Sequence, residues 1–384
     1  MVVQSTVRAA AETHSYDRAS IVLKEVGGIN LSAKTVERVA IEVGGELKVL
    51  RDEGNGALVR ASESPPVLAV AQCDGGRIRT REPGQGPGVH DAAWRETKNA
   101  CLVRMTCQTS DVDPQPELPR AFCNPEKVAE LAEKEPLSGI PVPLPREHDA
   151  EPDGPDWRPK RLLRTCLSSM APSHTFGAQM ESEARQRRFF EAPVRAFLGD
   201  GLPWNWSIHR EHFSEFVPIL DFIHVLSYVY RAALAVQHES AQAWSLYLAL
   251  ARACWQGRVS EVIDGLVDWL KKHGLDPTAE LKADDPRQAV LDAVRYLTNN
   301  RSRMDYPAYR RAGLPITTAL MESMVKEVNY RVKGTEMFWN DPEGAEAILQ
   351  IRAAALSEDD RLARYLARRP GSPYVRRNSS AVAA

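Results

Sequence analysis

Two different spacings of apolar residues alternate along the chain and mark the elements it predicts. The first sixty residues follow a helical period, with a break at Gly27-Gly28 and a predicted N-cap at Ser32. Between residues 67 and 107 the pattern becomes strand-like, and Gly75-Gly76 predicts a tight turn after the first strand. The predicted strands are 67–73, 77–82 and 98–107.

After a segment with eleven prolines at 111–159, regular patterns resume and become mainly helical. A turn at Gly199-Asp200-Gly201 follows a short apolar run, as Asp74 follows the first strand. The predicted elements are a strand at 162–170, a helix at 176–190, a strand at 196–198, a helical block at 222–299 and a helix at 318–333.

Composition is that of a soluble globular protein, with 43% apolar and 26% charged residues. The net charge of −2 provides no overall field for a polyanion, so nucleic-acid contacts would need local basic patches. Two arginine runs, 301–311 and 361–377, are such patches or ordinary solvated surface. The six cysteines contain no CxxC pair and are expected to be reduced thiols. No signal peptide or membrane span is predicted, so we expect a cytosolic protein.

Three acids have contexts that suit a divalent metal. Asp74 and Asp200 follow buried apolar runs, and Glu322 lies in the first turn of the last helix. A carboxylate trio suits two-metal phosphoryl transfer, because Mg²⁺ prefers hard oxygen ligands. The ordinary alternative makes the aspartates turn formers and Glu322 an exposed partner of Lys326. The sequence has no GxSxG, GxxxxGK[ST], HExxH or Rossmann glycine pattern that would indicate another chemistry.

The last predicted helix separates its acids onto different faces. Glu327 falls about 140° from Glu322 at ~100° per residue, so the two cannot serve one site. The stripe expected to face the core is Met321, Met324, Val325, Val328 and Val332. The neighbouring stripe, which could follow a phosphate backbone, is Glu322, Lys326, Asn329 and Lys333.

Asp221 and His224 form a further motif at the start of the helical block. Asp221 is a good N-cap for a helix that begins at Phe222, and His224 would then be a polar residue of its first turn. The functional alternative is that either side chain supports the metal ligands or contacts DNA.

Several short motifs, in their order and spacing, resemble insertion-sequence transposases of the ISKra group. These are bacterial DDE transposases with a ribonuclease H-like core, related to the Mutator-like superfamily. The resemblance covers most of residues 67–355. The motifs are CDGGRIRTRE (73–82), GPGVH…WRETKNA (86–100), AFLGDGLPWNW (196–206), HFSEFVPILDFIHVL (212–226) and AGLPITTALMES (312–323).

The resemblance implies the role of each acid. Asp74, Asp200 and Glu322 map to the three family acids, which would bind Mg²⁺ or Mn²⁺ as a catalytic DDE triad. Asp221 and His224 match the family's Cys/Asp-x-x-His motif, although Asp221 could instead be the second metal ligand, with Asp200 structural.

The resemblance also implies a fold and its division along the chain: an α/β ribonuclease H-like mixed-sheet core with an all-helical insertion and a helical N-terminal region. That region could bind DNA as a helix-turn-helix, or its helices could simply pack. The segments are the N-terminal region (1–61), the core in three parts (62–110, 160–224 and 301–355), a Pro-rich insertion or linker (111–159), the helical insertion (225–300) and an Arg-rich, partly disordered tail (356–384).

The implied function is Mg²⁺-dependent DNA strand cleavage and strand transfer by an oligomer of this chain on DNA, in the bacterial cytoplasm near the nucleoid. Trp204, Trp206, Lys326 and Lys333 are weaker candidates for DNA contacts through stacking and phosphate neutralisation, with core packing the alternative for both tryptophans. Thr317-Thr318-Ala319 departs from the family's glycine-containing turn, and the amino terminus looks short. The alternatives are therefore an inactive or truncated DNA-binding relative, or a structure-specific nuclease with the same core.

Overall fold

A five-stranded mixed sheet forms the centre of the computed structural model, which describes residues 2–54, 64–81, 93–140, 157–282, 284–333 and 339–369. Its spatial order is β3-β2-β1-β4-β5. Neighbours among β1, β2 and β3 are antiparallel, whereas β4 and β5 run parallel to β1. The mixed α/β class is confirmed. The strands are β1 (Leu68–Thr80), β2 (Ala93–Met105), β3 (Arg161–Ser169), β4 (Val194–Gly199) and β5 (Val217–Leu220).

The predicted turn at Gly75-Gly76 is wrong, because β1 continues through both glycines and pairs with β2 along its whole length. Neither glycine has a positive φ angle. Gly76 is needed because neighbouring side chains leave no room for a Cβ atom. A Cβ there would lie 2.6 Å from Thr97 Oγ1 and 3.2 Å from Asn99 Nδ2. A glycine inside a strand therefore marks a close approach of neighbouring side chains here, not a chain reversal.

The N-terminal residues form three helices, α1 (Val2–Glu12), α2 (Tyr16–Gly27) and α3 (Ala33–Asp52). The Ser32 cap is confirmed, since its side chain accepts a hydrogen bond from the Thr35 N–H. A Cβ on Gly44 of α3 would lie 2.2 Å from the Ala347 carbonyl oxygen, so α3 packs directly against the late helix α13 (Pro342–Leu356). The buried stripe of α3 is thus explained by packing, and its DNA-binding role stays a prediction.

Between the strands, α5 (Ser173–Gln186) and α6 (Pro203–His212) pack against the sheet, whereas α4 (Pro125–Leu131) packs against α7 (Phe222–Val236). The predicted helical block after β5 is confirmed as four helices. They are α7 (Phe222–Val236), α8 (Ser240–Trp255), α9 (Val259–Lys272) and α10 (Gln288–Asn300), followed by α11 (Tyr306–Arg311) and α12 (Ala319–Val332). The short strand β5 was missed, because four residues are too few to show a period.

The two predicted basic patches are partly internal. Arg310 is fully buried, and its guanidinium pairs with Asp113 of the Pro-rich segment and contacts the Trp255 carbonyl. The start of the Arg-rich tail folds as α14 (Arg361–Arg368), with Arg361 buried against Asp359 and Glu183. Neither Arg310 nor Arg361 is therefore available to a nucleic acid. Residues 370–384 lie outside the described part of the chain.

All six cysteines are free thiols, as predicted. Among the helices of the described ranges, none has both the length and the apolar character needed to cross a bilayer.

Candidate active site

Three aspartates lie side by side at one edge of the sheet. In the parallel register, Gln72 of β1 is opposite Leu198 of β4, which places Asp74 level with Asp200. Gly199 of β4 is opposite Leu220 of β5, which places Asp221 beside Asp200. Asp200 and Asp221 follow the carboxyl ends of β4 and β5, where α/β sheets build their sites, whereas Asp74 lies inside β1, two residues beyond the end of its pairing with β4. Residues that are 147 positions apart in the chain therefore meet on adjacent strands.

Asp200 is held by its own turn and by the helical block. Its Oδ1 accepts hydrogen bonds from the Leu202 N–H at 2.9 Å and from the Asn205 side-chain amide. The Tyr296 hydroxyl of α10 donates to the Asp200 carbonyl at 2.7 Å. Gly201 has a φ of +101°, and a Cβ there would lie 2.5 Å from the Tyr296 ring, so only glycine fits. Among the other described residues, none donates a hydrogen bond to Oδ2 of Asp200, and the residue's own backbone N–H also stabilises the carboxylate.

Asp74 is partly buried and faces the charge of its neighbour. Its Oδ1 accepts the Gly75 N–H at 2.6 Å. Burial and the negative charge of Asp200 raise the pKa of Asp74 to about 6, although His224 and the Gly75 N–H oppose the rise. Burial also raises the pKa of Asp200. A cation bound between the two carboxylates would stabilise their ionised forms, which burial and mutual repulsion disfavour.

Asp221 is fully buried, and hydrogen bonds fill the acceptor positions of its carboxylate. Oδ1 accepts from the Ile223 and Thr318 N–H groups, at 3.4 and 2.9 Å. Oδ2 accepts from the His224 N–H at 3.3 Å and from His224 Nδ1 at 2.6 Å. A carboxylate offers about four lone-pair positions, and all four are used. The N-cap prediction for Asp221 is confirmed.

His224 carries a positive charge in the middle of the acids. Burial lowers its pKa, but the hydrogen bond to Asp221 and the charges of Asp221, Asp200 and Asp74 outweigh burial and raise the pKa to about 9. The imidazolium donates through Nδ1 to Asp221 and leaves Nε2 as a second donor. At neutral pH it offsets part of the negative charge of the aspartates.

Glu322 is brought to the same edge by the loop before α12. The Phe222 N–H donates to the Ile316 carbonyl at 3.0 Å, and the Thr318 N–H donates to Asp221. Thr318 is the N-cap residue of α12, so Glu322 lies one turn from this contact. Burial and then the Asp221 charge raise the pKa of Glu322.

The other predicted features of α12 are confirmed. Met321, Met324 and Val328 are buried, whereas Val325 is only partly so. Glu327 points away from Glu322 and pairs with Arg164 of β3 at 3.3 Å. The helix ends at Val332, and Gly334, which follows it in the sequence and would suit a C-cap, lies outside the described residues.

A divalent cation fits the donor chemistry of this edge, but only two ligands are paired closely. Asp74 and Asp200 are the oxygen donors that Mg²⁺ prefers, and Asp200 keeps one oxygen uncommitted. Within the described ranges, no three His, Cys, Asp or Glu side chains converge tightly enough to hold a metal. Glu322 therefore does not complete a three-ligand group with Asp74 and Asp200, and the charged groups that shift its pKa are Asp221, His224 and Lys326.

The four predicted DNA contacts differ in accessibility. Trp206 is buried against Phe197, with the Arg303 guanidinium 4.2 Å from its ring centroid, so the packing alternative accounts for it. Trp204 is half-buried beside the site, since a Cβ on Gly75 would lie 4.0 Å from its ring. Lys326 and Lys333 are exposed.

Two supporting residues, Asn205 and Tyr296, escaped the sequence analysis. Asn205 could have been suspected, because Asp200 and Pro203 indicate a tight turn into a helix whose first-turn amide can reach back. Tyr296 gave no local signal, since its partner is 96 residues away.

Comparison with known proteins does not identify a family or an activity for this chain. No protein-family model matches the chain, and no curated protein is significantly similar to it. The solved Drosophila P element transposase strand transfer complex is similar over 93% of this chain and 92% of that chain, with 10% sequence identity and a TM-score of 0.36. This neighbour is weak, and a likeness at that TM-score decides neither fold family nor activity.

Proposed function

We propose that this protein is a DNA transposase of the ISKra type with a ribonuclease H-like core. It would cut DNA at element ends in a Mg²⁺- or Mn²⁺-dependent reaction and join them to a target as a homo-oligomer. Water would attack a phosphodiester and release a 3′-hydroxyl. That hydroxyl would then attack a target phosphodiester, form a new P–O bond and displace the target's own 3′-oxygen.

The single observation that carries the proposal is that Asp74 and Asp200 lie level with each other on adjacent parallel strands. The loop before Glu322 is attached to the same end of the sheet, because the Thr318 N–H donates a hydrogen bond to Asp221. The motif resemblance places the three acids at 74, 200 and 322 in the chain. The sheet register and the Thr318–Asp221 hydrogen bond bring the same three positions to one end of the sheet. Two independent arguments thus favour one site.

The choice between Asp200 and Asp221 as the second metal ligand follows from their hydrogen bonds. Asp221 is buried with four donors already on its oxygens, and using it as a ligand would strand several of them. Asp200 retains Oδ2 and lies level with Asp74. We therefore assign metal binding to Asp74, Asp200 and Glu322, and a supporting role to Asp221 and His224.

When bound, two divalent cations would activate the attacking oxygen and stabilise the leaving one. The chain's own residues would position and balance these charges. His224 would keep the carboxylates close together before DNA binds, and exposed Lys326, one turn from Glu322, would contact a phosphate. Trp204 would stack beside the scissile strand, next to Gly75.

A DNA-binding relative that has lost the chemistry is the second candidate. One observation favours it: the described residues contain no assembled three-ligand metal site. Such a protein would shift DNA in a gel and leave it uncut with or without Mg²⁺.

The deciding experiment is a strand-cleavage and strand-transfer assay on the inverted repeats that flank the coding region, with Mg²⁺ or EDTA. Asp74→Ala, Asp200→Ala and Glu322→Ala should each lower the cleavage rate at least about a thousandfold while keeping the thermal transition cooperative. Glu327→Gln, on the same helix as Glu322 but facing away, should keep activity within about threefold.

Full cleavage by Asp74→Ala would end the catalytic assignment. Cleavage of unrelated duplexes at the same rate as element ends would identify a general nuclease instead of a transposase.

A further inference from the structure

The strand pair β1–β2 continues beyond Asp74 with one covered face and one open face. Ile78, Thr80 and Thr97 are buried on the face that α12 covers. The alternate residues, which a strand directs to the opposite face, include exposed Arg77 and Trp94. Trp94 leaves much of its large apolar ring in solvent, so packing within the fold does not fully account for a tryptophan at this position.

Trp94 lies between two cations. It is 51% exposed, and the Arg79 guanidinium carbon is 5.7 Å from its ring centroid. Lys333 Nζ is 5.9 Å from the same ring centroid. A ring flanked by positive charges suits a flat, electron-rich group attached to an anion, which describes a nucleotide.

A second cation–aromatic pair occupies the same face at the end nearest the acids. Lys98 is opposite Gly75 in the register, and its Nζ lies 5.6 Å from the Trp204 ring centroid. Arg77 lies between the two pairs and forms no ion pair with any described residue. Among the described residues that alternate onto this face, the acid is Glu96, which pairs with buried Lys98 at 2.9 Å. Exposed Arg77 and Lys333 make the described part of the face positively charged, in a chain whose net charge is −2.

Asp74 alternates with Gly75 and Arg77, so its side chain is directed to the same face as Ile78, opposite the exposed face. A DNA strand that leaves the acids would reach the exposed face by crossing the open edge of β1. Pairing with β4 ends at Gln72, and the next contact on that side in the described residues is the bridge from Thr80 to Trp339. From Asp74 to Arg79 the strand covers roughly 17 Å at ~3.3 Å per residue. At the ~3.4 Å spacing of stacked nucleotides, that length accommodates about five.

We propose that the exposed part of this face of β1–β2, defined by Arg77, Arg79, Trp94 and Lys333, binds an unpaired DNA strand that leads away from the cleavage site, with a base stacked on Trp94. The inference rests on the proposed function, since the acids define where that strand begins. Duplex DNA would meet the face only through phosphates and gain nothing from the ring, so the face distinguishes unpaired from paired DNA.

Equilibrium binding in EDTA tests this separately from catalysis. The probes are a fluorescent blunt duplex of mixed sequence and the same duplex with a five-nucleotide unpaired 3′ extension. The wild-type chain should bind the extended probe about tenfold more tightly. Trp94→Ala should lose most of that preference and Trp94→Phe should keep part of it, because stacking persists on a smaller ring.

Arg77→Ala should weaken binding to the extended probe and reduce the slope of log K against log salt by about one, as expected for one lost phosphate contact. Matched controls are Trp269→Ala and Lys34→Ala, a tryptophan of the helical block and an exposed lysine of α3, which should leave the preference unchanged. Near-ultraviolet circular dichroism checks that each variant is folded.

Equal binding of both probes by the wild-type chain would overturn the inference, as would an unchanged preference in folded Trp94→Ala. Either result would leave cleavage of element ends, and so the proposed function, untouched. A Trp94-dependent preference in a chain that cuts no DNA would instead uphold the binding face and refute the transposase proposal.

Discussion

Replacing Asp74 with asparagine should stabilise the metal-free protein. The Asp74 pKa of about 6 lies about 2 units above its ordinary value of 3.8, mainly through burial and the charge of Asp200. At about 1.4 kcal/mol per unit, ionising Asp74 in the folded chain costs about 3 kcal/mol at pH 7.5, and solvent screening reduces this to about 1–3 kcal/mol. Asparagine keeps the acceptor for the Gly75 N–H and removes the charge.

The sign of the pH dependence is fixed by the raised pKa. Well below pH 3.8 the carboxyl is protonated in both states, so the substitution gains nothing. As pH rises from about 4 to 6 the unfolded state ionises and the folded state does not, so the stabilisation grows across this range and becomes complete near pH 7. Asp74→Asn should therefore be about 1–3 kcal/mol more stable at pH 7.5, and roughly a third of that at pH 4.5.

Urea unfolding at both pH values measures this difference, with Asp268→Asn, an exposed acid of α9, as the control that should change by less than about 0.5 kcal/mol. Peptide mass mapping should confirm that the new Asn-Gly pair has not hydrolysed back to aspartate. The reasoning fails if Asp74→Asn is no more stable than the wild type at pH 7.5, or if its gain is the same at pH 4.5.

Four further outcomes are expected. Ten millimolar Mg²⁺ should raise the Tm of the wild-type chain by several degrees and that of Asp74→Asn by less than one, measured by differential scanning fluorimetry. Tyr296→Phe should lower kcat for strand cleavage about tenfold without changing KM for DNA, because only the support of Asp200 is lost, and cost about 1 kcal/mol of stability. His224→Gln should destabilise the protein by about 1–2 kcal/mol at pH 6 and less at pH 9.5, because the raised pKa means that its stabilisation is lost as pH rises towards 9. Gly44→Ala should cost about 1–3 kcal/mol in urea unfolding, since its Cβ would overlap the backbone of α13.

Matched variants separate these effects from general damage. Gly45→Ala, on the same helix with open space around it, should gain about 0.5–1 kcal/mol, and a loss there would discredit the packing argument for Gly44. Tyr228→Phe keeps the ring stacked on Tyr296 and should preserve cleavage, so equal losses in both tyrosine variants would remove the special role of Tyr296.

Local information in the sequence was sufficient for most helices and for the faces of α12. The stripe Met321, Met324 and Val328 identified the buried face of α12, and that face placed Glu322 and Glu327 on different sides. The Ser32 and Asp221 caps were readable because a cap and its N–H partners lie within three residues. Periodicity and capping are properties of neighbouring residues, so one chain segment carries them.

Tertiary structure decided what depends on distant partners. The same Gly75-Gly76 pair that suggests a turn became continuous strand, because β2 supplies partners across it and its side chains leave no room for a Cβ at Gly76. The commitment of Asp221 to Thr318, the support of Asp200 by Tyr296 and the burial of Arg310 by Asp113 each join residues about 100 to 200 positions apart. A single segment contains no trace of such a partner, since the contact exists only after the sheet register and helix packing have brought the two together.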